Sequence, residues 1–310
     1  MSAVDWHREM LADHQRVRAF AGAVRRAVQP GDVVVDVGTG SGLLAMVAAR
    51  AGASRVYAIE RGAIASVARK IAADNGLDRC ITFLEGSAAS VELGERADLV
   101  VGEIIGSFGV DEGILSVYAD AAARFLKPRG RLLPDALDLR VAPAEYGLDL
   151  WSWPQVVRRE WGLDMQRLAA LAQDSPTSAR IEPGHLLAQG TTVLRVALGT
   201  AAAGPLEGAA EFALSRSGRL SGWAAWFAAR YRGEVILCTA PPNPAPSWTH
   251  CFFPTGSPCD LPAGAQVSAR FRLDDPFWSW ELRLPDTAPR NFTQFDGVLE
   301  GDLRPPGGGT

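Results

Sequence analysis

Val33-Val-Val-Asp36-Val-Gly38-Thr-Gly40-Ser-Gly42 runs a β-branched stretch into three glycines spaced two apart, with an acid two residues before the first. Glycine turns the chain at positive φ and lets the backbone approach a ligand closely. The helical pattern that begins at Leu43 would aim its free N–H groups at negative charge. A dinucleotide fold asks for G-x-G-x-x-G, whereas D-x-G-x-G-x-G is the spacing of S-adenosylmethionine sites. Glu60 closes the next apolar run, twenty-two residues after Gly38, where a carboxylate would accept from both ribose hydroxyls. Asp36 is expected to hold the turn by accepting backbone N–H bonds. Two other readings stay open on these residues alone: a nicotinamide dinucleotide, or a bend that only packs helix on sheet.

A second pattern follows a later apolar run, at Val100-Val-Gly-Glu103-Ile-Ile-Gly106-Ser-Phe-Gly-Val-Asp-Glu112. In open α/β sheets ligands bind beyond the carboxyl ends of the strands. Two carboxylates nine residues apart around a glycine-containing loop can converge, and they raise each other's pKa unless a cation lies between them. A planar guanidinium satisfies both with forked hydrogen bonds. The spacing therefore points to an arginine-like substrate, with surface acids on a loop as the alternative.

These side chains need a scaffold, and the chain's texture supplies one. Short β-branched runs (Val33–Val37, Arg55–Ile59, Ile81–Leu84, Asp98–Val101 and a fifth near Arg131–Leu133) alternate with Ala-rich helical stretches. That alternation predicts a doubly wound parallel sheet of Rossmann-like type over 1–134. Beyond Pro134, Pro, Gly and apolar-polar alternation dominate (Thr191–Ala197, Trp223–Tyr231, Glu234–Cys238, Gln266–Leu273, Trp278–Leu284), which predicts an all-β, barrel-like domain over 135–304. Within it, Leu150–Ala172 is helical in period and carries three Trp, and 305–310 is expected to be a disordered tail. Trp223 and Trp226 read as barrel core, and His14 and His185 as surface or capping residues.

Composition narrows the classes. A chain of 310 residues, 47% hydrophobic and 21% charged, is long enough for about two globular domains. A formal net charge of −4 offers no basic field for a phosphate backbone, so nucleic acid is not expected as a partner. Cys80, Cys238, Cys251 and Cys259 lack CxxC spacing and the four His are scattered, so no metal site is expected. The charged first ten residues and the lack of any long apolar run predict a cytoplasmic protein with no membrane partner. Only Lys70 and Lys127 among the 31 basic residues are lysines, and with heavy use of Ala, Gly, Arg and Pro this suggests a GC-rich, bacterial genome.

With these motifs in order, the chain resembles the protein arginine N-methyltransferases, class I S-adenosylmethionine-dependent enzymes, from His7 to about Leu303. In His7-Arg-Glu9-Met10-Leu11-Ala-Asp13-His-Gln-Arg16 the resemblance implies that Arg16 holds the methionine carboxylate of S-adenosyl-L-methionine and that Glu9 and Met10 border the acceptor pocket. Glu103 and Glu112 match the family's double-glutamate loop, and Pro134-Asp135 its domain junction, often a cis proline. Ser247-Trp248-Thr249-His250-Cys251 resembles its Thr-His-Trp loop, which implies that His250 pairs with Asp13 as a proton relay. A helical dimerisation arm is implied at about 148–175, and with it a homodimer. The implied reaction is in-line methyl transfer to a guanidino nitrogen of arginine, free, peptidyl or protein-bound. A same-fold enzyme acting on another amine or a hydroxyl, and a non-catalytic dimeric relative, are the alternatives.

The chain departs from the family pattern at four places. Ile104 replaces a tryptophan after the first glutamate, and Cys251 replaces the tryptophan of the Thr-His-Trp loop. The Gly86-Ser-Ala-Ala-Ser90 segment lacks the acid that often accepts from the adenine amino group, so Ser90 or a backbone carbonyl must substitute. The tyrosine-rich segment before the N-terminal helix is reduced to Val4-Asp5-Trp6. A small or flexible acceptor follows as the expectation, and the type of methylated product stays open.

Overall fold

The computed structural model describes residues 3–147, 152–173, 175–200, 204–241, 247–275, 277–285 and 287–294. Val33–Val37 (β1) is buried along its whole length, the mark of a strand covered on both faces. It lies in the middle of a five-stranded parallel sheet with Arg55–Glu60 (β2), Ile81–Glu85 (β3), Ala97–Gly102 (β4) and Leu126–Leu133 (β5), in the order β3-β2-β1-β4-β5. Helices Leu43–Arg50 (α3), Ile64–Asp74 (α4) and Ile114–Phe125 (α5) make the crossovers, and Ala3–Ala12 (α1) and His14–Ala27 (α2) precede the sheet. Strand order reverses between β1 and β4, so the crevice above their carboxyl ends is the topological switch point. Both chemical motifs of the sequence sit there: the glycine turn ends β1, and Glu103 follows β4 directly.

The first four strands match the expected runs to within one residue, because their β-branched and apolar side chains carry a strong pattern, whereas β5 begins five residues ahead of the run near Arg131–Leu133, through Lys127, Pro128, Arg129 and Gly130. The later sequence is mixed in its agreement. Thr191–Ala197 (β8), Gly218–Tyr231 (β10), Glu234–Cys238 (β11), Gln266–Asp274 (β13) and Phe277–Arg283 (β14) lie where alternation placed them. Ala136–Ala144 (β6), Thr177–Ala179 (β7), Leu206–Ala213 (β9), His250–Leu261 (β12) and Arg290–Thr293 (β15) were not read from the sequence. They form an antiparallel sheet β15-β14-β13-β9 and a larger one in the order β7-β12-β10-β6-β8, with β11 on β10. The fold is thus a Rossmann-like parallel sheet plus a barrel-like β region.

Two compact units emerge: Met1–Asp138 with Arg195–Ala203 and Phe227–Thr249, and the remainder of the chain, with the division running through β6, β8 and β10. In the second unit Phe253 meets Phe271, Trp278 and Trp280 edge-on at 5.1, 5.8 and 5.2 Å, and Trp223 and Trp226 are buried as core. The stretch read as one helical segment is two helices, Trp153–Trp161 (α6) and Gln166–Gln173 (α7). Gly162 at φ 69° ends the first, its N–H bonded to the Arg158 carbonyl oxygen. Trp151 and the tail at 305–310 lie outside the described residues. The Leu133–Pro134 peptide bond is cis. Among the described residues no helix is long and apolar enough to cross a membrane.

Candidate active site

Asp36 is the anchor of the glycine turn. Its Oδ2 accepts from Thr39 Oγ1 at 2.5 Å and from the Ala45 N–H at 2.9 Å, so one buried carboxylate ties the strand to the turn and to α3. Burial pushes its pKa up to about 6; the bonds from Thr39 and Ala45 oppose the rise and the charge of Glu60 adds to it. Gly38 and Gly40 turn at φ 68° and 55°. A Cβ at Gly38 would stand 2.8 Å from Ile104 Cγ2, and one at Gly40 2.9 Å from His7 Cε1. Glu60 closes the turn from β2: Oε2 accepts the Gly40 N–H at 3.0 Å and Oε1 the Gly62 N–H at 2.7 Å.

The other wall comes from α1, α2 and residues far along the chain. Asp13 breaks α1 from α2 and caps α2, its Oδ1 accepting the Arg16 N–H at 3.0 Å. Its Oδ2 accepts from Ser247 Oγ at 2.6 Å and from the Ser247 N–H at 3.1 Å. Burial alone would raise Asp13, yet these bonds hold it below its ordinary value. Arg16 pairs through Nη2 with Glu103 Oε2, donates from Nη1 to Ser247 Oγ at 3.3 Å, and lies over the Trp248 ring. Burial brings its pKa down to about 10, opposed by the negative charges of Asp13 and Glu112.

The glutamate loop is shaped by Asp111, which accepts the Phe108 N–H at 3.0 Å and would clash with any Cβ at Gly106. Below it, the buried Tyr118 hydroxyl donates toward the carbonyl oxygens of Gly102 and Leu133, at 2.8 and 2.9 Å, fixing the end of β4. Burial and the charge of Asp111 push Glu112 up, while Arg16 and Arg61 pull it down. Both loop glutamates thus feel the Arg16 guanidinium. Glu103 Oε1 is buried and has no hydrogen-bond partner among the described residues.

Met10, Arg16, Asp36, Gly38, Gly40, Glu60 and Glu103 line one cavity of about 140 Å³. Ser90 is exposed outside that lining, its Oγ donating to the Ser87 carbonyl oxygen at 3.0 Å. His250 opens β12 in the second unit, and its Nδ1 accepts the Ile181 N–H at 3.1 Å. Several residues at or behind the cavity wall were not singled out by the sequence pattern. His7, beside Met10 and Leu11 at helical spacing, was legible as one face of α1. Ser247 and Trp248 were named only as part of a loop motif, since nothing in spacing joins Ser247 to Asp13, 234 residues away.

The cavity fits S-adenosylmethionine: its glycines leave backbone open where a side chain would intrude, and carboxylate and guanidinium groups line it. Parallel sheet, glycine turn and acid-lined crevice define a class I methyltransferase. Residues 13–134 match the model of the ribosomal protein L11 methyltransferase family (PrmA), and 138–276 that of the arginine methyltransferase oligomerization subdomain. The chain is 30% identical over 264 residues to protein arginine N-methyltransferase 6 of Xenopus laevis, covering 80% of this chain and 77% of that one. It is 29% identical over 279 residues to an arginine N(omega)-methyltransferase of Streptomyces achromogenes subsp. streptozoticus, covering 87% and 76%. Against the probable histone-arginine methyltransferase 1.3 of Arabidopsis thaliana identity is 32%, but the chain spans only 52% of that protein. The fold is similar to that of a Trypanosoma brucei PRMT1 enzyme-prozyme heterotetrameric complex with AdoHcy, with TM-score 0.82, 23% identity and coverage of 93% and 97%. The chain belongs to the protein arginine N-methyltransferase family, whose reaction is S-adenosylmethionine-dependent methylation of arginine.

Proposed function

We propose that this site methylates a guanidino nitrogen of arginine presented free or in a short peptide. The observation that carries the reading is the Glu103 carboxylate: one oxygen is committed to the Arg16 guanidinium while the other is buried without a partner. An unpaired buried carboxylate oxygen is costly and calls for a cationic donor. When bound, S-adenosylmethionine supplies a methyl group on an electrophilic sulfonium. Arg16 would hold its carboxylate and Glu60 its ribose, with a backbone carbonyl rather than the exposed Ser90 accepting from the adenine amino group. Glu103 and Glu112 bind the guanidinium and draw its positive charge toward the nitrogens they contact, which leaves lone-pair density on the attacked nitrogen. Orientation supplies a large share of the rate. Glu112 takes the released proton.

The arm supports a further part of the reading, a homodimer working in the cytoplasm. Trp161 on α6, Leu163 in the linker and Leu168 on α7 are 74, 54 and 55% exposed, more apolar surface than a short hairpin leaves in water, and a second copy of the chain is the natural cover. Deleting the arm should yield monomers and lower activity. Glu103→Gln is the direct test of the chemistry: transfer should be lost while affinity for S-adenosylhomocysteine is kept, and equal loss of both would overturn the role given to Glu103.

A further inference from the structure

Trp248 touches both the cofactor wall and the glutamate loop. Its Nε1–H donates to the Ile105 carbonyl oxygen at 2.8 Å, two residues past Glu103. Its ring carries the Arg16 guanidinium, with Cζ 4.4 Å from the ring centroid. Phe227 packs edge-on against the same indole, ring centroids 5.3 Å apart at 82°, so the ring cannot turn without losing contacts on two sides.

We propose that Trp248 is a positioning residue: its face fixes the plane of the Arg16 guanidinium, and its N–H ties that guanidinium to the loop that carries Glu103. A free arginine side chain loses rotamer entropy when it meets a carboxylate. Arg16, stacked on the indole and bonded to Ser247 Oγ at 3.3 Å, has that freedom removed before any ligand arrives. The attraction between cation and ring strengthens when both are desolvated, and only 14% of the Arg16 side chain is exposed. A phenol could offer a face but not an indole N–H at this reach, and an aliphatic side chain offers neither.

The inference rests on the reading that Arg16 holds the cofactor carboxylate, and the test separates the two. Dissociation constants are measured by calorimetry on the full chain for S-adenosylhomocysteine and for methylthioadenosine, which keeps the adenosine and thioether but has no carboxylate. Trp248→Leu should weaken S-adenosylhomocysteine about 3- to 30-fold and leave methylthioadenosine unchanged. Trp248→Phe, which keeps a face and loses the N–H, should retain most of the S-adenosylhomocysteine affinity while kcat/KM for the acceptor falls. Equal weakening of both ligands, no weakening of either, or a phenylalanine variant as poor as the leucine one overturns the positioning role. Arg16→Ala is the control: if it leaves the ratio of the two constants unchanged, the reading of Arg16 is what fails. If it collapses the ratio and Trp248→Leu does not, the proposal for Trp248 is what fails.

Discussion

The two ends of the cavity are built on opposite principles. At the glycine turn, Asp36 and Glu60 bind backbone N–H groups and one neighbouring hydroxyl, and the partners lie at most 20 residues apart. At the other end, Asp13, Arg16 and Glu103 meet Ser247 and Trp248, across 231 and 234 residues. The first end has its hydrogen bonds made before any ligand enters; the second holds a guanidinium against one glutamate oxygen and leaves the other unpaired. A cradle of backbone amides suits a cofactor that every turnover uses in one pose. A cluster of side-chain charges with one carboxylate oxygen left open suits a cation that must enter, lose a proton and leave.

Substitutions should separate these ends, and the largest effect belongs to the second. Glu103→Gln should lower kcat by about 10²–10³-fold, as for removal of one group that stabilises developing charge. Affinity for S-adenosylhomocysteine should hold or rise, because the Arg16 fork loses its competitor. A parallel loss of cofactor affinity in a binding titration would merge the two ends. Arg16→Ala should cost about 1.5–3 kcal/mol of cofactor binding, the range for a hydrogen bond to a charged group. An unchanged dissociation constant would remove Arg16 from the cofactor wall.

The glycine end is best probed by pH. Burial raises the folded-state pKa of Asp36 to about 6, above its ordinary value of 3.8. The folded state therefore binds a proton more readily than the unfolded chain between those values, and the contribution of Asp36 to stability falls as pH rises through that window. Denaturant titrations from pH 4 to 7 should show a downward slope amounting to about 1–3 kcal/mol, flattened in Asp36→Asn; an unaltered slope in the variant would mean that other groups set it. Smallest is Glu60→Gln, which keeps an acceptor for one backbone amide and should weaken cofactor binding by about 1 kcal/mol, with kcat little changed.

The same contrast explains what could be read in advance. Asp36, Gly38, Gly40 and Glu60 announce themselves because a strand, a turn and the next strand follow one another within one stretch of chain, so spacing carries the geometry. Glu103 and Glu112 are visible as a pair, but that an arginine from α2 lies against Glu103 is not, since no periodicity links position 16 to 103. Asp13, Arg16 and His250 entered only through resemblance to a family. The fold divides likewise: β1 to β4 are short β-branched or apolar runs, whereas β5 carries Pro128 and Gly130 and β12 carries Pro254, Gly256 and Pro258, residues that read as breakers. The ladder accommodates them with a register shift opposite Leu220 and Gly222 on β10. The Ala-rich β9 has too few large apolar side chains to show its alternation.

The central claim is methyl transfer to a small arginine acceptor, and intact-mass analysis tests it most directly. The full chain is incubated with isotope-labelled S-adenosylmethionine and, separately, with free arginine, a short arginine peptide and an intact arginine-rich protein. The account predicts labelled methyl on the first two, at a guanidino nitrogen, and formation slowed about 10²–10³-fold with Glu103→Gln. Label on the intact protein alone, with free arginine and short peptides untouched at millimolar concentration, would contradict the acceptor, and no label on any arginine would contradict the site.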